Sequence, residues 1–408
     1  MRNGSTISVV ALAGVLLTSL AAAAELSLPS WKHLSSDAGD LPKPNCGKEQ
    51  TACLVVDIDR DGRNDIVVAE RSRAPSLLWL RQTGERWTEC VVESGKTPIA
   101  AGGAYCDIDS DGDQDVIFGS PASGSEVWWW ENPYPDYQPD APWKRHVIAN
   151  TGKGQHHDQY VGDFLGTGKP QVVSWFQGGE MLLLFPIPAD PHREEPWLTV
   201  TVAEGIPGGE GLALGDIDRD GKVDLVGAGR WFKHLGGGEF ATHVIDAAQT
   251  GGRVAVGDLK EGGPLEVVMV LGDGVGPLKW YECRGAANEP ASWMGHDLLG
   301  VPVNHGHSLQ VTDINGDGHL DIFCAEMAQW GKSVDNSGAQ AWIFYGDGQG
   351  GLTKTELANG FDFHEAKVAD VNGDGRLDIV NKPFIWQTPR IDIWVNEPPT
   401  HRNTHLEE

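Results

Sequence analysis

Five stretches of this 408-residue sequence set oxygen-bearing side chains at the first, third, fifth and ninth positions of a short loop. They are Asp57/Asp59/Asp61/Asp65, Asp107/Asp109/Asp111/Asp115, Asp216/Asp218/Asp220/Asp224, Asp313/Asn315/Asp317/Asp321 and Asp370/Asn372/Asp374/Asp378, each with glycine at the sixth position for the sharp turn. Clustered carboxylates, amides and backbone carbonyls suit Ca2+, a hard cation that takes about six to eight oxygens in loose geometry. The expectation is up to five structural calcium ions. Related stretches at Asp163 and Asp258 have lost most of the oxygens and are expected to bind none. An EF-hand does not fit, because strand-like apolar runs flank every loop and the ninth-position Asp comes too early.

A second chemistry appears six residues before each loop's first Asp, where the chain places Thr51, Ala101, His157, Glu210, Gly252, His307 and His364. If each loop joins two antiparallel strands, these residues share the face opposite the loops. Three histidines and a glutamate at equivalent sites would converge near a central axis. His157, Glu210, His307 and His364 are therefore candidate ligands for a divalent ion such as Zn2+, Mn2+ or Fe2+. His305 or His156 would serve as a base, and Arg230, Arg253 or Lys382 would meet a carbonyl or carboxylate. Trp175, Trp231 and Trp330 are placed to stack on sugar faces, and Asp158 and Glu365 add charge nearby. The plainer alternative is a set of polar side chains facing a water-filled channel. His33, His146, His234 and His243 fall on outer strands and read as surface residues.

The elements that must position these groups repeat along the chain. Each unit is an apolar strand, the Asp loop and a second apolar strand, and successive loops start 50, 56, 53, 42, 55 and 57 residues apart. A period near 50 with several short strands per unit indicates a β-propeller. A third, aromatic strand follows, and Trp79, Trp129, Phe185 and Trp280 each stand 22 residues after their loop's first Asp, as packing residues between blades. A fourth strand follows that. Trp31-Lys32-His33-Leu34 resembles a fourth strand with no partners before it, whereas the unit after Asp370 lacks its fourth. The expectation is one all-β domain over residues 25–408: a seven-bladed propeller of four-stranded antiparallel blades, closed by the N-terminal strand completing the last blade and so leaving no open edge.

Composition bounds the rest. Residues 1–24 read as a secretory signal, with Arg2, an apolar run and Ala22-Ala23-Ala24 before Glu25, so a periplasmic or secreted protein without stable membrane insertion is expected. The formal charge of −27 argues against nucleic acid as a partner. An exported chain permits disulfides among Cys46, Cys53, Cys90, Cys106, Cys283 and Cys324, but spacing does not fix their pairing. Residues 397–408 read as a polar tail, and oligomeric state has no signature.

The loops resemble FG-GAP or VCBS-type repeats, as in integrin α-subunit propellers and many exported bacterial proteins. The resemblance covers residues 25–408 and implies structural calcium loops on one face. It leaves function open, because this fold serves adhesion as well as catalysis. The arrangement is also similar to the propeller domain of aldos-2-ulose dehydratase and, in architecture, to propeller polysaccharide lyases. That likeness implies a metal-dependent lyase or dehydratase acting by β-elimination on a keto-sugar, keto-glycoside or uronic-type saccharide. The cupin domains of the dehydratase are missing here, so its isomerase activity is not expected. The alternatives are a carbohydrate- or protein-binding propeller without catalysis, and a metal-dependent glycoside hydrolase.

Overall fold

The computed structural model describes residues 28–44 and 47–398. The signal segment, Cys46 and most of the polar tail lie outside them. Among the described residues there are seven four-stranded antiparallel sheets and no α-helix. Blade 1 runs Gln50–Val56, Asp65–Glu70, Leu77–Thr83 and Arg86–Glu93. Blades 2 to 6 repeat the order from inner strands Ala104–Cys106, His156–Gly162, Ala213–Gly215, Gly252–Gly257 and Ser308–Thr312. A small extra hairpin pairs Val275–Gly276 with Val303–Asn304 beside blade 5.

Blade 7 takes three strands, His364–Ala369, Asp378–Lys382 and Asp392–Glu397, from the end of the chain, and its fourth, Ser30–Ser35, from the start. Trp31 sits opposite Asn396 and Leu34 opposite Ile393, and His33 Nε2 lies 2.8 Å from Asp392 Oδ1. The expected closure is therefore present.

Hydrophobic packing follows the same ring. Side chains alternate across each strand, so every blade has two apolar faces, and each face packs on a neighbouring blade. Seven buried clusters result, one per blade interface. Trp79 of blade 1 packs with Val116, Phe118 and Trp130 of blade 2. Trp129 and Phe185 meet between blades 2 and 3, and Trp280 lies between blades 5 and 6. The last cluster joins Val371, Val380 and Ile393 of blade 7 to Cys53, Ile66 and Leu80 of blade 1.

The ninth loop position is a fold clamp. Asp65, Asp115, Asp224, Asp321 and Asp378 are buried. One oxygen of each accepts the N–H of the second loop residue, at 2.8 to 3.3 Å for Ile58, Ile108, Ile217, Ile314 and Val371. The other accepts an N–H at the far end of the third strand, from Gln82, Asn132, His234, Gly346 or Asn396. Gln171 and Glu266 keep half of this clamp in the two loops that lost the third- and fifth-position acids, each accepting the N–H of the third loop residue, Leu165 or Lys260. Burial pushes the carboxyls of Asp65 and Asp115 up to about 7 and about 8.

The described cysteines Cys53, Cys90, Cys106, Cys283 and Cys324 form no disulfide with one another. No helix among the described residues is long and apolar enough to cross a membrane. Two histidines expected at the surface are not there. His146 is covered by the 187–199 segment of blade 3, and His234 stacks on Phe240 at 5.0 Å; both are buried.

Candidate functional site

The inner strands start at one mouth of a central cavity of about 520 Å3 and end at the acidic loops. The residues six before each loop do form a buried layer there: Thr51, His157, Glu210, His307 and His364 are all at most 4% exposed. The next residue in three blades is charged. β-Bulges, which re-aim side chains by inserting a residue, interrupt the inner strands between His157 and Gln159 and between His364 and Lys367. Asp158 (φ 42°) and Glu365 (φ 59°) occupy the left-handed region at these bulges. Gly102 and Gly211 make room in the adjacent blades, because a Cβ there would run into the backbone of Asp158 and Arg253 respectively.

Arg253 ties the blades together across the axis. Its Nη1 donates to both Asp158 oxygens at 3.0 Å, and its Nη2 contacts Glu365 and lies 3.4 Å from Glu210 Oε1. Nη2 also donates to His307 Nδ1 at 3.2 Å. Three carboxylates around it raise the guanidinium's pKa despite burial, so Arg253 stays charged. Both terminal nitrogens are engaged within the protein, while Nε is buried without a hydrogen-bond partner and the residue lines the cavity.

One group of atoms has the composition of a metal site. Glu210 Oε1, Asp273 Oδ1 and His307 Nε2 lie within 4.8 Å of one another. His307 Nε2 is 3.0 Å from Asp273 and 3.6 Å from Glu210. His157 Nε2 approaches Glu210 Oε1 to 3.9 Å. That oxygen is buried and has no hydrogen bond. Burial raises the Glu210 carboxyl even with His307 and Arg253 opposing it. Asp273 was not among the expected ligands. It stands in the turn after the second strand of blade 5, Glu266–Leu271, off the repeat's phase; its signal was the short Leu271-Gly272-Asp273 strand exit at this mouth.

His364 takes a different place. It stacks on His307 at 4.8 Å and on Phe384 at 4.7 Å, and its Nδ1 lies 2.6 Å from Lys382 Nζ. Burial, then Lys382, holds it well below the usual histidine range. Lys382 is sealed, donates to Gln50 O at 2.8 Å, and burial lowers its pKa to about 7. Lys382 therefore supports His364 and does not face solvent.

Other expected participants separate. His156 is buried against Phe176, bonded to Thr151 Oγ1 at 2.7 Å, and burial lowers it to about 4; it is sealed from the mouth. Arg230 begins the third strand of blade 4 and donates back to Ala228 O at 2.7 Å. Trp175 and Trp231 are at most 1% exposed and pack between blades, so neither offers a ring to a sugar. Trp330 is 43% exposed and lies beside His305 and His307, at ring separations of 6.3 and 5.9 Å. His305 Nδ1 is 2.5 Å from Asn304 Oδ1, so its proton lies there and Nε2 carries the lone pair.

On the opposite face, the first, third and fifth loop positions cluster in blades 1 and 2, while blade 4 groups Asp216 and Asp218 with Asp224. Their surroundings differ. Arg81 Nε lies 2.5 Å from Asp59, and Lys233 contacts both Asp218 and Asp220. Blade 2 adds Asp113, which burial and then Asp111 and Asp109 push up to about 7.

Blades 6 and 7 depart from the expected carboxylate grouping. Among the described residues, neither Asp313 with Asp317 nor Asp370 with Asp374 belongs to a group of three acidic or histidine ligands. The third position is an amide in both loops, and the loops close on themselves. Asn315 Nδ2 donates to Asp317 Oδ2 at 2.8 Å, and Asn315 Oδ1 accepts the Asp317 N–H at 3.1 Å. Asn372 Oδ1 accepts the Asp374 N–H at 2.9 Å, and the Asp374 carboxylate pairs with Arg376. Three loops group three carboxylates, and two carry the third-position amide among fewer carboxylates; bonds of the same kind occur in blade 2, where Asp109 Oδ1 accepts the Asp111 N–H at 3.3 Å.

Residues 57–118 and 313–380 match the FG-GAP-like repeat family. No curated protein matches the chain. Among solved structures, BBS1N in complex with ARL6DN, soaked with lead, superposes with a TM-score of 0.56 at 13% identity, over 92% of this chain and 99% of that one. The beta-propeller domain of Myceliophteria thermophila Cps50 (Swd1) gives 0.47 at 12% identity, over 89% and 99%. The V. cholerae biofilm matrix protein Bap1 gives 0.48 at 10%, over 88% and 89%. The first of these likenesses speaks to fold alone, and none establishes a specific resemblance to aldos-2-ulose dehydratase. The chain is a seven-bladed β-propeller that carries FG-GAP-like repeats at residues 57–118 and 313–380.

Proposed function

We propose that the channel mouth holds a divalent transition metal and that the protein is a carbohydrate-active enzyme, a lyase working by β-elimination. The observation that carries this reading is the buried, hydrogen-bond-free Glu210 Oε1 in a group with Asp273 Oδ1 and His307 Nε2, beside the half-exposed Trp330. The metal would supply Lewis-acid stabilisation of charge developing on a substrate oxygen. Trp330 would stack on the sugar. His305, neutral with its lone pair on Nε2, would take the proton next to the carbonyl as the C–O bond one carbon further breaks, and return it to the departing oxygen. Arg253 holds Asp158 and Glu365 in place. With a metal on His307 Nε2 the ring proton must sit on Nδ1, so Arg253 would then rely on its carboxylate partners.

The hydrogen bond from Arg253 to His307 Nδ1 favours a second reading, a metal-free carbohydrate- or protein-binding propeller in which the mouth is an ionic pivot. Metal analysis of calcium-replete protein, with a panel of keto-sugars and uronic glycans, separates the two. A transition-metal equivalent lost in His307→Asn, with appearance of an unsaturated product, supports the enzyme. Wild-type protein that holds no His307-dependent metal and turns over nothing sinks it. We further propose Ca2+ in the acidic loops, tightest in blade 2, where no described Lys or Arg pairs with the Asp107/Asp109/Asp111 group. Blades 6 and 7 should bind it more weakly, since a neutral amide, Asn315 or Asn372, replaces the third-position carboxylate in each loop. Export to the periplasm or the exterior is likewise proposed from the sequence.

A further inference from the structure

A second histidine–carboxylate cluster lies on the acidic-loop side, away from the mouth. Glu131 ends the third strand of blade 2, Glu126–Glu131, and His146 stands on its fourth, Lys144–Asn150. His192 and Glu195 come from the segment between the third and fourth strands of blade 3. His146 Nε2 is 2.9 Å and His192 Nε2 3.3 Å from the same oxygen, Glu131 Oε2. The three atoms lie within 4.8 Å of one another. Asp109 Oδ2 adds an oxygen 3.4 Å from His192 Nε2. Ligands about 2.0–2.2 Å from a tetrahedral Zn2+ stand about 3.3–3.5 Å apart, so these atoms need little movement to enclose one.

The partners of His146 leave one ring nitrogen for such an ion. His146 is 4% exposed, stacks on Trp129 at 4.4 Å, and places Nδ1 2.8 Å from Glu195 Oε1. A neutral ring donating Nδ1–H to Glu195 aims its Nε2 lone pair at the Glu131 oxygen. Two lone pairs do not face each other at 2.9 Å unless a proton or a cation lies between them. One proton on His146 alone would bridge Glu131 and Glu195 and leave His192 to donate to Glu131, and this is the arrangement that a bound ion would displace. One divalent ion satisfies both nitrogens and Glu131 together. A carboxylate behind the ligating imidazole is the outer support that metal-bound histidines ordinarily have. Lys144, 3.3 Å from Glu131 Oε2 but 65% exposed, is the competing neutraliser.

We infer that Glu131, His146 and His192, with Asp109 beside them, form a site for a Zn2+-like ion. Imidazole nitrogens select such an ion over Ca2+. The bound ion would pin the 187–199 segment of blade 3 onto blade 2.

The test is calorimetric titration of calcium-saturated protein with Zn2+, together with thermal melting. His307→Asn, which disables the mouth, should still take up one equivalent per chain and melt several degrees higher with Zn2+. His192→Asn should lose that equivalent and that shift; His192 is a third exposed, so the change does not open the core. Glu195→Gln should keep the stoichiometry and weaken affinity by about ten- to a hundredfold. The inference is overturned if His307→Asn protein takes up no Zn2+, or if His192→Asn binds as many ions as wild type.

Discussion

The two ends of the inner strands follow different rules. At the acidic-loop end the same arrangement recurs around the ring. A carboxylate or amide at the ninth position clamps its own loop through backbone N–H groups, even in blades 3 and 5, where the third- and fifth-position acids are gone. At the mouth the blades diverge: His157 with Asp158, Glu210, Arg253, His307, and His364 with Glu365 come from five different blades, and only the first and last of these share a pattern, a histidine followed by an acid at a bulge. What every blade needs in order to fold is repeated. What only the whole ring can assemble is not.

The largest effect should come from breaking the ring itself. Deleting residues up to Ser35 removes the strand Ser30–Ser35 and exposes the Asp392–Glu397 edge. The truncated chain should aggregate or lose most of its stability, as size-exclusion chromatography and melting would report; a monomer that melts as before refutes the closure. Next, Asp115→Ala removes two buried hydrogen bonds and strands the N–H groups of Ile108 and Asn132. Each stranded group costs about 1–3 kcal/mol, so a loss of about 2–5 kcal/mol in denaturant unfolding is expected with calcium present or absent. A loss that appears only with calcium would make this residue a ligand and not a clamp.

Smaller effects should separate the ligand positions from the clamp. Asp107→Ala should lower the melting temperature of calcium-loaded protein by several degrees and leave the chelated protein nearly unchanged, while Asp163→Ala should give no calcium-dependent shift. Equal calcium dependence in both would remove the distinction between intact and degenerate loops. At the mouth, His307→Asn should abolish turnover and metal uptake there with little change in melting, because His307 belongs to no clamp and to none of the seven apolar clusters. His243→Ala, on an outer strand, should change neither.

Much of the fold was legible because it repeats. Seven loops in phase, the aromatic residues 22 positions later and the unpaired strand at Trp31 fixed blade number and closure. The ring of positions at the mouth was legible for the same reason. The chemistry around it was only partly so. Asp273 sits in a turn that no other blade copies, so no periodicity marked it. Trp175 and Trp231 lie near the mouth in sequence, but alternation along a strand turns their rings into the blade interfaces. His146 is on an outer strand, yet the 187–199 segment of the next blade covers it. Spacing placed all five acidic loops but not the cations that reach three of them, Arg81 at Asp59, Lys233 at Asp218 and Asp220, and Arg376 at Asp374.

The sequence by itself determined the propeller, its seven blades, its closure and the positions of the acidic loops. Each of these is a local pattern repeated often enough to be read without knowing what lies next to it. Only the tertiary structure decided which charges meet. The bulges at Asp158 and Glu365 turn these side chains to the axis, where Arg253 holds both. Partners of this kind are separated by up to a hundred residues or more and brought together by ring closure, and a single inserted residue changes the face a strand presents.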